Sequence, residues 1–422
     1  SKYIQNKKPK YLATTQFEAP YARQCFPCFD SPDKKATFDV SLLIDKKLKA
    51  VSNMPESSEE IKNNKKLIKF QTSPLMSTYL LYLGVGEFDF LEDRYKKTKL
   101  RIVTTPGKAK EGKFALELTK KFLRYFENFS EIPYPLPKLD LIAIPDFAAG
   151  AMENWGAITF REVLLLFNEK KTSTRVKKRI AEVIAHELWH QWSGNLVTME
   201  WWDDLWLNES FATYMAFKAV DYYFKDWRMW EDFIDNQTSG AFFYDSLKTT
   251  HPIAVPVSTP NEVEEIFDEI SYGKGGSVLR MIESYLGKET FRKGVSSYLK
   301  KYQYKNAKAS DLWNSLAQAS SSPIKQVMES WINQSGYPLL EIDENEKLIL
   351  TQERFNSHKS QKWKIPLILK TSDSIIKKLI SKKREKIKEI PSKIKEIKPQ
   401  EELDEEDLEE EIYGSELHEF TE

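Results

Sequence analysis

Disulfides have almost nothing to work with in this chain of 422 residues, which holds only two cysteines, Cys25 and Cys28. That usage predicts a reducing compartment, and the cytoplasm is the simplest one. Their C-x-x-C spacing has no second cysteine pair to complete a structural zinc site, so neither a redox nor a metal role is expected of them. Net charge is missing too, with 63 Lys and Arg against 63 Asp and Glu. A general nucleic-acid binder carries a basic excess, so nucleic acid is not expected as a partner. No apolar run approaches the ~20 residues that span a bilayer, and no basic-then-apolar leader opens the chain, so no membrane partner is expected either. Histidine is scarce at five residues, which gives weight to any pattern the histidines form. Core material is plentiful, with 41% apolar and 13% aromatic residues. Such a length and composition predict two or three globular domains.

Residues 1–92 predict β-structure. The run from Ala36 to Ile44 alternates and then turns apolar, and Lys65 to Phe70 and Tyr79 to Val85 read as further strands. From about Gly112 the spacing becomes helical, with Ala115, Leu116, Leu118, Phe122, Leu123 and Phe126 on one face. Leu139 to Ile144 returns to strand, followed by an irregular turn over 145–156. Ser173 or Thr174 is placed to cap a helix running to about Trp192, with Gly194 as its stop. A second helix is predicted from Asp203 or Asp204 past Ala219, and others near 273–286, 289–303, 309–319 and 323–335. Short strands resume after Gly336, over 339–342 and 348–352. The expected fold class is therefore α+β and multidomain. It comprises a partial N-terminal β-sheet domain (1–92), a mainly helical domain (93–336), a partial β-sandwich (337–371) and a charged tail (372–422). In that tail lysines crowd from Lys377 to Lys398 and acids from Glu401 to Glu411, the pattern of a solvated or partner-binding segment.

The sharpest chemical signal is His186-Glu187-Leu188-Trp189-His190. Histidines four apart on a helix share a face, so both imidazoles can reach one metal, with Glu187 beside it to take a proton from water. Chance supplies this pattern in roughly 0.6% of chains with so few histidines. A zinc that activates water keeps three protein ligands and one open position, so a third ligand is expected close by. Glu209, separated from His190 by eighteen residues, is the candidate. Taken alone it reads as an exposed helix-face charge. However, Trp201, Trp202, Leu205, Trp206, Leu207, Phe211 and Tyr214 surround it in the sequence and predict a buried helix. An unpaired carboxylate there is costly, and coordination removes the cost. Asn208 and Asp204 are candidates to orient the ligands, with helix capping an equal reading for Asp204.

The stretch from His186 to Ala212, HELWHQWSGNLVTMEWWDDLWLNESFA, closely resembles the signature of the family M1 zinc aminopeptidases. Other landmarks of that family follow in order. Gly150-Ala151-Met152-Glu153-Asn154 matches its G-x-M-E-N motif. Thr15-Gln16-Phe17-Glu18-Ala19, with Arg23 and Phe26 to Asp30, matches the end of its N-terminal β-domain. Thr250 to Ile253 and Ile270 to Gly275 match the stretch leading to its catalytic tyrosine. The resemblance covers roughly 11–355 and is nearest the archaeal and eukaryotic cytosolic branch. It implies a thermolysin-like catalytic domain, one Zn2+ per chain on His186, His190 and Glu209, and peptide substrates with a free N-terminus. Glu187 is then the expected general base and Tyr272 the donor to the oxyanion. By the same resemblance Glu153 and Glu18 receive the substrate ammonium, while Gln16 and Met152 line the first side-chain pocket. Gly150, Ala151, Met152, Glu153 and Asn154 are expected to bind substrate backbone as an added strand.

Three departures from the family pattern stand out. The β-domain is expected to lack its opening strands, and the closing helical domain to be absent, so a complementary polypeptide is a possible partner. Gly273 stands where the family usually has glutamate. Glycine there is expected to loosen a helix start by about 1 kcal/mol against alanine, without abolishing chemistry. Two other functions stay open on the sequence: a zinc endopeptidase, and a catalytically weak peptide-binding or assembly subunit. His251, His358 and His418 are not assigned as ligands.

Overall fold

The computed structural model describes residues 1–168, 172–343, 349–357, 361–370 and 374–387. His358, His418 and the acidic run from Glu401 lie outside them.

The N-terminal part is built of small antiparallel sheets. Ala13–Thr14, Leu83–Gly86 and Lys49–Ser52 form one, and Ser41–Asp45, Lys65–Phe70 and Glu56–Lys62 another. Tyr79 and Leu80, expected in a strand, lie in a short 3-10 turn instead. The next sheet has five strands in the order Ala151–Met152, Ala157–Arg161, Lys138–Ile144, Thr98–Thr104 and Asp89–Tyr95. Its middle three are parallel, and both edges are antiparallel. The expected division after residue 92 thus falls inside a strand, because Asp89–Tyr95 pairs along its whole length with Thr98–Thr104.

The central strand Lys138–Ile144 is buried throughout. Its two charges are held by pairing: Asp140 meets Lys138 at 2.7 Å and Arg101 at 2.6 Å. Burial pulls the Lys138 ammonium down to about 8, with Asp140 resisting. Asn53 joins the N-terminal strands to this region. Its buried amide donates to the carbonyls of Leu80 and Trp155 at 2.7 and 2.9 Å, and its oxygen accepts from Tyr82 N at 2.8 Å.

Helices α1 (Lys113–Ser130) and α2 (Thr174–His190) pack on this sheet, and α3 (Trp206–Tyr223) packs on them. Aromatic side chains lock them together. Trp189 of α2 meets Phe126 of α1 at 5.2 Å and Phe211 of α3 at 5.3 Å between ring centroids. Almost every residue of α3 from Trp206 to Val220 is buried, as its aromatic-rich sequence predicts. Further helices follow over Gly275–Leu286, Lys288–Tyr302, Ala309–Ser320 and Ile324–Ile332. One continuous apolar core runs from Leu12 to Ile332, while Ile44, Ala50, Ile68 and Phe70 form a separate small one on the sheet of Ser41–Asp45 and Lys65–Phe70.

Beyond Gly336 lie two small sheets. One joins Pro338–Asp343, Ile349–Arg354 and Arg384–Lys386; the other joins Ile365–Lys370 and Ile375–Ile380. Residues 374–387 therefore depart from the expected charged tail. Ile375, Ile376, Leu379 and Ile380 supply enough apolar surface to pair with Ile365–Lys370, and Ile380 and Ile387 are buried with Trp363 and Leu350.

Candidate active site

Helix α2 starts where the sequence predicts, with Ser173 Oγ accepting from Val176 N at 3.4 Å. It ends at His190, and the chain then turns through Gly194 at φ 138°. A Cβ on Gly194 would stand 3.1 Å from His190 Nδ1, so both backbone and space call for glycine. His190 Nδ1 donates to the Ser193 carbonyl at 3.2 Å, which turns Nε2 towards the site. The orienting group is thus a backbone carbonyl rather than Asn208 or Asp204. Asn208 Nδ2 donates to Met199 Sδ, while Asp204 Oδ2 accepts from Ala309 N at 3.0 Å and so caps the helix Ala309–Ser320.

Three donor atoms converge here. His190 Nε2 lies 3.0 Å from His186 Nε2, and Glu209 Oε2 is 3.2 Å from His186 Nε2 and 3.6 Å from His190 Nε2. All three residues offer a ligand atom within 4.8 Å of the others. Burial pushes the Glu209 carboxyl up, but His190 and His186 outweigh it and hold it well below the usual carboxylate range. Two imidazole nitrogens and one ionised carboxylate oxygen suit a zinc ion.

Around this triad lie more buried carboxylates than the histidines can neutralise. Glu187, Glu153 and Glu18 each have a buried oxygen with no hydrogen-bond partner among the described residues. Burial drives all three upward, most strongly Glu18 and Glu187; the Glu209 carboxylate adds to each rise, and His190 opposes it at Glu153 and Glu187. Glu18, Glu153 and Glu209 each bring an oxygen within 4.8 Å of the other two. Such a cluster is electrostatically unfinished without cations.

Ala151–Met152 is an edge strand of the five-stranded sheet, paired on one side with Ala157–Arg161. Gly150 O accepts from Arg161 N, and Asn154 Nδ2 donates to Thr159 Oγ1 at 3.3 Å. Gln16, partly exposed, sits two residues before Glu18, and its Oε1 is buried with no partner among the described residues. Tyr272 lies beside His186, the rings 6.0 Å apart and nearly parallel at 17°. Burial, then the Glu209 and Glu18 carboxylates, push its phenol well up, which keeps it protonated.

The structure thus brings together His186, Glu187, His190, Glu209, Glu153, Glu18 and Tyr272. It adds Gln191 and Asn195, which sequence reasoning missed. Gln191 Nε2 and Asn195 Nδ2 donate to the Glu153 carbonyl at 3.0 and 2.8 Å, and Gln191 Oε1 accepts from Gly156 N at 3.2 Å. Their residue types are the only mark they leave in the sequence, and the structure buries both amides completely. His251 is no ligand: its Nε2 meets Asp268 Oδ2 at 2.6 Å, and Asp268 Oδ1 accepts from Ile270 N and Ser271 N just before Tyr272.

Two histidines one turn apart on α2, completed by a carboxylate from α3, define the constellation of a helical zinc peptidase. The model of the Peptidase family M1 domain matches residues 114–331, just over half of the chain, and that of the Peptidase M1 N-terminal domain matches 1–80. The chain belongs to peptidase family M1, a family of zinc metallopeptidases. "Probable aminopeptidase 2" of Sulfurisphaera tokodaii is 50% identical over 392 residues, 92% of this chain and 50% of the relative. "Leucyl aminopeptidase" of Saccharolobus solfataricus is 49% identical over 387 residues, 91% and 49% of the two chains. "Tricorn protease-interacting factor F2" of Thermoplasma acidophilum is 50% identical over 373 residues, 87% and 47%. The chain spans about half the length of the curated relatives it matches. No helix among the described residues is long and apolar enough to cross a membrane.

Proposed function

We propose that the chain is a zinc-dependent aminopeptidase that hydrolyses the N-terminal residue of oligopeptides. The observation that carries this reading is the pair of carboxylates, buried Glu153 and half-buried Glu18, set against the metal-type triad through Glu209. An endopeptidase has no use for two unneutralised carboxylates at one end of its cleft. A substrate ammonium supplies the missing cation.

In this reading His186, His190 and Glu209 hold one zinc ion per chain. When bound, zinc acidifies a water molecule and polarises the scissile carbonyl. Glu187 accepts the proton of the attacking water and returns it to the leaving amine. The Tyr272 phenol donates to the oxyanion that forms on the substrate. Glu153 and Glu18 grip the free ammonium, with Glu153 anchored by Gln191 and Asn195. The edge from Gly150 to Asn154, including Ala151 and Met152, takes substrate backbone as an added strand. Gln16 and Met152 border the first side-chain pocket.

The relative named for its interaction with tricorn protease supports a place late in cytoplasmic peptide breakdown, on fragments that other proteases release. A complementary polypeptide remains part of the proposal, as does a division near residue 336 between the thermolysin-like helical domain and the sandwich strands. The test is a panel of aminoacyl fluorogenic amides beside their N-acetylated forms. Hydrolysis of the free-amine substrates alone is expected. Equal rates on both would exclude an exopeptidase. Stoichiometric zinc with no turnover would point to the peptide-binding subunit.

A further inference from the structure

Tyr272 sits in a π-helical turn, Ile270–Lys274, that is held at both ends. At its start Asp268 Oδ1 accepts from Ile270 N and Ser271 N, each at 3.0 Å. At its end the Lys274 side chain plunges into the protein, where it is only 6% exposed. Its ammonium stands 2.8 Å from Asp245 Oδ2 and donates to the carbonyls of Gln334 and Gly336 at 3.1 and 3.0 Å. Asp245, 2% exposed, uses its other oxygen to accept from Gly336 N at 2.6 Å and from the Thr250 hydroxyl at 2.7 Å. Three stretches remote in sequence therefore meet at one ion pair. They are the Tyr272 turn, the end of the helix Ser239–Asp245, and the junction from which the strand Pro338–Asp343 departs.

A buried ion pair is a weak device for stability, since apolar residues of similar volume often do as well. It is a stronger device for geometry. An ammonium bound by one carboxylate and two carbonyls has a single place to sit. A π-turn, by contrast, has an extra residue that can be absorbed into regular α-helix, and doing so would rotate its side chains. Lys274 is two residues from Tyr272 in the same turn, so fixing one fixes the other.

We propose that Lys274, clamped by Asp245 and the Gln334 and Gly336 carbonyls, is a positioning residue that holds the Tyr272 phenol against the His186 side of the site. The proposal rests on the reading of Tyr272 as the oxyanion donor. Neither Lys274 nor Asp245 takes part in the chemistry.

The experiment is the double substitution Lys274→Met with Asp245→Asn, so that no charge is left buried alone and an acceptor remains for Gly336 N. Relative to the parent, kcat on an aminoacyl amide is expected to fall roughly ten- to hundredfold with KM little changed. Bound zinc should be unaltered. Amide exchange should accelerate over residues 270–275 and stay unchanged in α2. Introduced into Tyr272→Phe, the same pair should cause no further loss, because no phenol remains to be misplaced. A second, comparable loss in that background overturns the proposal, as does unchanged exchange over 270–275. Failure of the underlying reading looks different: Tyr272→Phe alone would then keep the parental kcat.

Discussion

Gly273 faces the carbonyl of Gln237 across so narrow a gap that a Cβ on it would lie 2.5 Å from that oxygen. The two residues belong to π-helical turns, Ile234–Thr238 and Ile270–Lys274, which pack directly on each other. Helix propensity alone makes Gly273→Ala a gain of about 1 kcal/mol. The contact reverses that sign, because the obstructing atom is backbone. Gly273→Ala is expected to destabilise by roughly 1–3 kcal/mol, and Gly273→Glu, which installs the residue usual in the family, by more. Thermal unfolding followed by circular dichroism checks this. A raised Tm in Gly273→Ala would show that the gap closes freely.

Glu187→Gln keeps the shape of the side chain and removes its basicity. A loss of kcat of roughly 10²–10⁴-fold is expected, with zinc content and Tm close to the parent. Metal analysis beside steady-state kinetics makes the check, and an active variant would take Glu187 out of proton transfer.

Glu153→Gln should act on recognition of the amine. Gln191 and Asn195 hold the backbone carbonyl of residue 153, so the strand edge should survive the substitution. The expected outcome is a loss in kcat/KM of roughly tenfold or more, with reduced preference for free-amine over acetylated substrates. The ratio of the two rates is the measurement, and an unchanged ratio would leave amine recognition to Glu18 alone.

Metal removal should be felt in stability as well as turnover, because the ion neutralises buried carboxylate in the folded state only. Dialysis against a chelator is expected to lower Tm. Zinc at about a hundred times its Kd should restore ~2.7 kcal/mol. His186→Ala should abolish that zinc-dependent shift, and calorimetry with and without zinc tests both statements.

Asp204 makes stability depend on pH at a place away from the metal-type triad. Burial lifts its carboxyl to about 6, with Asp203 adding to the rise and the Ala309 N–H and Lys308 opposing it. The folded pKa lies above the unfolded value of ~3.9, so the folded state holds the proton more tightly. The contribution is greatest below pH 4 and is lost as pH rises through about 6. Asp204→Asn keeps an acceptor for Ala309 N without the charge. It should match the parent near pH 4 and exceed it above pH 6 by up to ~3 kcal/mol, read from urea unfolding at the two pH values. A constant difference across that range would remove the titration from the account.

The helices that frame the site were legible because their signals are local. Ser173, the apolar spacing of α2, and the buried aromatic character of α3 all sit in the elements they specify. The π-turns were not, since one inserted residue barely alters an apolar period of 3.6. The strand Ile375–Ile380 was hidden by Lys377 and Lys378, which read as part of a charge block although isoleucines flank them. Among the proposed site residues, His186, Glu187 and His190 stand out by type and spacing, whereas Glu18, Glu153 and Tyr272 are marked only by the resemblance to the family. Gln191 and Asn195 act on a backbone carbonyl 38 and 42 residues away, and nothing in a sequence marks the receiving end of such a bond.

The buried amide of Asn53 ties Leu80 and Tyr82 to Trp155, only two residues from Glu153. The segment around Glu153 and the strands that precede it are therefore mechanically one object. Strain in the early strands reaches the segment that carries Glu153 by several routes at once: through Asn53, through Lys138 Nζ on the Ser52 carbonyl, and through the apolar core that the two share.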